Sequence, residues 1–292
     1  MRAVLLGPNG QLGSDIRAAN IKSGEMLSVI AVGRSAVDLS DIEAATTFLG
    51  GLNFDCLINC SSYHNTDQVE HNAQTAFVIN AHLVQRLAEI CRQKKARLVH
   101  FSTDYVFGGQ RKRTPLAETD CKCPVNVYGA SKAMGEDLAL MTGADILILR
   151  VASLFGIAGA SGKGGNFVET MIRLGREKGT LRVVSDQTMS PSATADIAQA
   201  VLSMIGRRVP SGIWNVVNSG AATWYDFAAR IISQARIAAT VIPIPTSEYT
   251  AVAKRPPYSV LDNSKLVSSI GPMRPWQDAL EAYLLAKGYL PR

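Results

Sequence analysis

The sequence predicts an α/β protein of the Rossmann type: a doubly wound parallel sheet with a smaller C-terminal lobe that binds substrate. Three observations predict it. The first apolar run, residues 3–6 (AVLL), ends in a glycine-rich turn, "GPNGQLG". Further apolar runs then alternate with helical periodicity as far as residue 155, the pattern of βαβ units. Those runs are nearly unbroken in apolar residues, as strands buried on both faces must be.

The elements follow in order. After the first strand, "GQLGSDIRAAN" opens a helix. "LSVIAV" (27–32) and "FDCLINCSS" (54–62) read as the second and third strands. Residues 73–94 carry Ala76, Phe77, Ile79, Asn80, Leu83, Leu87 and Ile90 near one face of a helix. "ARLVHFST" (96–103) is a fourth strand, 126–141 a helix and "DILILRVASLF" (145–155) a fifth strand. The five glycines of "GIAGASGKGGN" (156–166) predict a loop. Helices then begin at 167, 194, 224 and 275, strands at 181 and 212, and the chain from 238 on is rich in proline. Residues 1–155 are expected to form the nucleotide-binding domain, its sheet completed by later segments. Residues 156–292 are expected to be mainly the substrate lobe, with sheet elements interleaved.

Composition narrows the function. The 292 residues are 47% hydrophobic and 18% charged, which suits a folded globular chain. The longest apolar stretch, around 144–160, is broken by Asp145 and Arg150, so no membrane span is expected. The N-terminal apolar run is too short for a signal peptide. Five cysteines without framework spacing point to a reducing cytoplasm. Cys121 and Cys123 lack a second pair at matching spacing, so no metal is expected. The net charge of +6 comes from scattered basic residues, with "RKR" (111–113) the one tight run. That favours small anionic ligands over nucleic acid.

Four motifs carry chemistry. Gly7, Gly10 and Gly13, with Gln11 and Leu12 between them, stand where a pyrophosphate would meet a helix N-terminus. The second strand ends in "VGRS", with Arg34 where an NAD site often has an acid. An arginine there suits the 2′-phosphate of NADP, with NAD use left open by Asp38 nearby. Ser102 and Thr103 close the fourth strand and could hold a carbonyl oxygen. Tyr128 and Lys132 share a helix face at i and i+4. A neighbouring ammonium would lower the phenol's pKa, and the pair could then protonate a carbonyl as hydride arrives.

Together these segments resemble the extended short-chain dehydrogenases/reductases that act on nucleotide sugars, and most closely the dTDP-4-dehydrorhamnose reductase family. The resemblance runs through "GPNGQLG", "VDLSD", "STDYVFGG", "VYGASK", "VVSDQTMSP" and "KRPPYSVLDNSKL". It implies Tyr128 as general acid, Lys132 as its partner and ribose ligand, and Thr103 as a carbonyl ligand. It implies that Gly7, Gly10, Gln11, Leu12 and Gly13 cradle the cofactor. Arg34, Asp38, Leu39, Ser61, Ser62 and Tyr63 would line it. Asp104, Tyr105, Leu154 and Arg255 would contact the nucleotide-sugar substrate. Tyr105 stands where similar dehydratases have glutamate, which favours keto reduction over dehydration. Leu154 replaces a tryptophan that faces the sugar, leaving its identity open. Similar proteins are often dimers. The alternatives are an epimerase or reductase elsewhere in the superfamily, or a regulatory subunit that binds cofactor without turnover.

Overall fold

β1 (Arg2–Leu6) lies at the reversal around which the molecule is wound. The computed structural model describes residues 1–159 and 165–290. From β1 the chain passes through α1 (Gln11–Lys22) to β2 (Ser28–Val32) on one side. It then crosses back through α2 (Ile42–Gly51) to β3 (Cys56–Asn59) on the other. α3 (Thr66–His71) and α4 (Ala73–Phe77) follow. A π turn, Val78–His82, carries α4 into α5 (Leu83–Lys94). β4 (Arg97–Thr103), α6 (Val127–Met141) and β5 (Ile146–Val151) complete the first half.

The second half is interleaved. β6 (Leu154–Phe155), α7 (Phe167–Lys178), β7 (Thr180–Val184), β8 (Thr188–Met189) and β9 (Ser192–Ala193) are followed by α8 (Thr194–Gly206) and β10 (Gly212–Asn215). Then come β11 (Ala222–Thr223), α9 (Trp224–Gln234), β12 (Thr240–Ile244), α10 (Ser264–Ile270) and α11 (Trp276–Ala286). β10 pairs with β5, so the main sheet is six parallel strands in the order β10-β5-β4-β3-β1-β2. The direction of winding reverses between β1 and β3, which opens a crevice beyond their carboxyl ends.

Two apolar cores sandwich the sheet. Leu5, Ile58, Val99 and Leu149 face α1 and α8. Val4, Leu57, Leu98 and Ile148 face α2, α5 and α6. Neighbouring strand residues thus point to opposite, equally apolar layers, which is why the runs show no polar alternation. A third core, built on Phe155, Phe227, Ile231, Trp276 and Leu280, holds α7, α9, α11 and β7 together as the second lobe.

Local departures from the sequence reading have physical causes. The periodic stretch 73–94 is not one α-helix, because the π turn inserts an extra residue around Asn80. The run 145–155 is two strands, broken where Ser153 adopts φ +43°. β12 contains Pro243, which an edge strand tolerates because its missing N–H is not needed for pairing. α2, α3 and α10 are additional helices. Of the glycine-rich loop expected at 156–166, residues 160–164 lie outside the described residues.

Candidate active site

A cleft of about 530 Å³ opens beyond the carboxyl ends of β1, β3, β4 and β5, with α7 and α9 across it. Gly10, Gln11, Leu12 and Gly13 form one wall. Their turn is sterically specified. Gly7 takes φ +72°, and a Cβ on Gly13 would stand 2.2 Å from the Gly7 carbonyl oxygen. Only glycine lets α1 begin so close to β1. Gly10 caps α1 without a side-chain hydrogen bond, and the first turn contains no acid. That uncapped N-terminus on the cleft suits an anionic pyrophosphate.

The end of β3 is held from below by two asparagines. Asn59 Oδ1 accepts from the Ser61 amide at 3.0 Å and from its hydroxyl at 2.5 Å. Asn80 Oδ1 accepts from the Ser62 hydroxyl at 3.1 Å and the Tyr63 amide at 2.9 Å. Its amide donates to the Tyr63 carbonyl and to Ser131. Ser62 lines the cleft, whereas Ser61 and Tyr63 are not among the residues lining it.

Tyr128 and Lys132 both project from α6 into this cleft. Thr103 and Ser62 line the cleft beside Tyr128, whose ring meets Tyr105 edge-on at 5.9 Å. Burial pushes the phenol up to about 12, opposed by the Thr103 and Ser62 side chains. The sequence led us to expect the opposite direction, because Lys132 was to act on the phenol. Instead Lys132 is 1% exposed and tethered away. Its Nζ lies 2.6 Å from the Phe101 carbonyl and 3.1 Å from His100 Nε2. Burial holds its amine down at about 7, with Glu136 partly offsetting that.

Thr103 donates to Asp104 at 3.1 Å, and Ser259 donates to the other oxygen of the same carboxylate at 2.6 Å. Burial raises Asp104 to about 6, more than these donors lower it. Ser102 lines the cleft, with its hydroxyl donating to Glu136 at 2.5 Å. Glu136 in turn takes two hydrogen bonds from Arg150, at 2.9 and 2.7 Å. This buried pair ties α6 to β5.

Leu154 also borders the cleft. Four further predicted contacts lie outside the cleft wall. Arg34 is exposed just past β2, where Gly7 donates to the Val32 carbonyl. Asp38 accepts from the Ser40 amide and hydroxyl, which hold its carboxyl below the usual range, and Leu39 packs on the core behind. Arg255 lies outside the cleft wall and grips Asp67, with Nη2 3.0 Å from each carboxylate oxygen. Trp224 lines the cleft, 4.7 Å from Phe167 between ring centres, and also packs against the core of the second lobe. Trp214 is buried in the core beneath α1 and α8, and Trp276 in that of the second lobe. His100, Asn59 and Asn80 had no motif to expose them; Asn80 and His100 sit in a helix and a strand that read as structural.

Fold and cleft define a class, the Rossmann-type proteins with a ligand crevice at the sheet's switch point. The RmlD substrate binding domain family matches residues 1–288, and the chain belongs to that family. It is 34% identical over 283 residues to the spore coat polysaccharide biosynthesis protein SpsK of Bacillus subtilis, covering 97% of this chain and 96% of that one. Among solved structures, a dTDP-4-dehydrorhamnose reductase of Clostridium acetobutylicum superposes with TM-score 0.91 at 34% identity, over 99% of this chain and all of that one. The dTDP-4-dehydrorhamnose reductase of Bacillus anthracis, solved in complex with NADP, superposes with TM-score 0.90 at 32% identity, over 98% and 99% of the two chains.

Proposed function

We propose that this protein reduces the C4 ketone of a dTDP-4-keto-6-deoxyhexose with NADPH, in the biosynthesis of deoxysugar nucleotides. The observation that carries the reading is the convergence of Tyr128, Thr103 and Ser62 hydroxyls beside the uncapped start of α1. The relatives named as reductases, one of them bound to NADP, support it.

Each residue then has a task. The first turn of α1 binds the pyrophosphate. Arg34, exposed beyond β2, suits the 2′-phosphate and so favours NADP over NAD. The bound nicotinamide would supply hydride. Thr103 orients the ketone, and the Tyr128 phenol, protonated at neutral pH, gives its proton to the developing alkoxide. Tyr105 and Leu154 border the sugar, and Trp224 and Phe167 offer it an aromatic wall from the second lobe. Such a reductase would act in the cytoplasm. Among the described residues no helix is long and apolar enough to cross a membrane.

The test is loss of NADPH absorbance with dTDP-4-dehydro-6-deoxy-L-mannose, beside the Tyr128→Phe variant. Turnover by the native protein, slowed by roughly 100-fold or more in the variant, is the expected result. No turnover with this or other 4-keto sugar nucleotides, despite cofactor binding, would overturn the reading in favour of a non-catalytic role.

A further inference from the structure

Lys132 does not face solvent or an anion; it faces an imidazole. His100 on β4 is fully buried between Asn59 and Lys132, with Nδ1 3.1 Å from Asn59 Nδ2 and Nε2 3.1 Å from Lys132 Nζ. The orientation of Asn59 is set independently. Its Oδ1 receives the Ser61 backbone N–H at 3.0 Å, and an N–H can only donate. Nδ2 is therefore the atom that meets His100, and an amide nitrogen can also only donate. His100 Nδ1 must accept. Burial keeps the ring neutral, well below the usual imidazole range, so its single proton sits on Nε2.

Nε2–H consequently points at Lys132 Nζ. An ammonium has no lone pair to receive it; a neutral amine does. The remaining bond, from Nζ to the Phe101 carbonyl, is one a neutral amine can still donate. The whole chain, Ser61 to Asn59 to His100 to Lys132 to Phe101, is satisfied in one protonation state and has two opposed donors in the other.

We propose that His100 is a positioning residue that holds Lys132 as a neutral amine in the cofactor-free protein, so that cofactor binding is coupled to proton uptake by Lys132. This rests on the reading above, in which Lys132 serves a dinucleotide. A polyanion in the cleft favours the ammonium, and ribose hydroxyls offer it acceptors in place of Nε2. The surrounding charges do not override His100. Glu136 on α6 favours the ammonium, but its carboxylate is already matched by Arg150 of β5. Asp104 and Tyr105, from the turn after β4, bear on Tyr128.

Two measurements test this on the full-length protein. The first follows the lysine Cε resonances of cofactor-free protein against pH, with Lys132 assigned by its loss in Lys132→Met. The expected result is a neutral amine at about pH 8.5, where an ordinary lysine is still charged. The second is calorimetric titration with NADP⁺ at that pH in buffers of different ionisation enthalpy. The native protein should take up about one proton per cofactor. In His100→Gln, whose side-chain oxygen can accept from an ammonium, uptake should fall several-fold, while circular dichroism stays native.

A charged Lys132 in the free protein at that pH overturns the proposal. So does binding without proton uptake, or unchanged uptake in the folded variant. If NADP⁺ gives no binding heat, the cofactor reading fails, and the Lys132 titration, which needs no cofactor, decides the role of His100.

Discussion

Arg150 and Glu136 meet wholly inside the protein, their side chains 1% and 0% exposed, joined by two hydrogen bonds. The Arg150 guanidinium also stacks 4.9 Å from the centre of the Phe107 ring and donates to the Glu118 carbonyl. Removing Glu136 leaves Arg150 charged, buried and without its carboxylate partner. Glu136→Gln is expected to cost roughly 3–5 kcal/mol of stability. Urea denaturation measures it; a cost under about 1 kcal/mol would show that the pair is not the brace described.

Tyr128→Phe tests the proton donor. The ring keeps its edge contact with Tyr105, so cofactor affinity and folding should hold. Reduction in a single turnover should slow by roughly 100-fold or more, the usual worth of a general acid.

The glycine turn separates two effects. A Cβ on Gly10 stands 3.5 Å from the Gly7 carbonyl oxygen, an ordinary contact, whereas on Gly13 it stands at 2.2 Å. Gly10→Ala should therefore keep its stability, and any change in NADPH affinity would report on the cradle alone. Gly13→Ala should lose about 1–3 kcal/mol of stability as α1 shifts, and NADPH affinity with it. Parallel thermal melts and fluorescence titrations distinguish the two.

Asp104 gives a pH signature of uncommon sign. Its folded pKa of about 6 lies above the ordinary value of 3.8, so the native state binds the extra proton between them. Stability from this group is therefore greatest below the ordinary pKa and falls as pH rises toward 6. Asp104→Asn should remove that fall, and the native-minus-variant difference in stability should change by roughly 2 kcal/mol across the window. A flat difference curve would rule out the raised pKa.

Arg255 is expected to be a brace for Asp67 and the segment around Ala253, whose amide shares the same carboxylate. Arg255→Gln should leave the KM for the sugar nucleotide within about twofold. A tenfold rise would mean that the guanidinium leaves Asp67 for the substrate.

The main sheet was legible because its strands are apolar on both faces, and because β1 runs straight into Gly7, Gly10 and Gly13. The helix bearing Tyr128 and Lys132 was legible for its spacing. What escaped depended on distant partners. Nothing near Arg255 announces Asp67, far earlier in the chain. Nothing in "LVHFST" reveals that His100 meets Asn59 and Lys132. The small pairings β6 with β9 and β8 with β11 are two residues long, too short for any periodicity. Trp224, the first residue of α9, lines the cleft while packing against the second lobe's core, a double role that periodicity does not show.

The place of β10 in the sheet has a consequence for biosynthesis. The chain emerges from the ribosome in order, so β5 exists long before residues 212–215 arrive to pair with it. Throughout that interval its edge is an open template of unpaired amides and carbonyls flanked by apolar side chains. The α1 face likewise lacks α8, whose Ile197, Val201 and Met204 complete that core. A growing chain of this protein is thus most exposed to wrong partners in the middle of its own synthesis, and its native cleft closes only once the second half has been delivered.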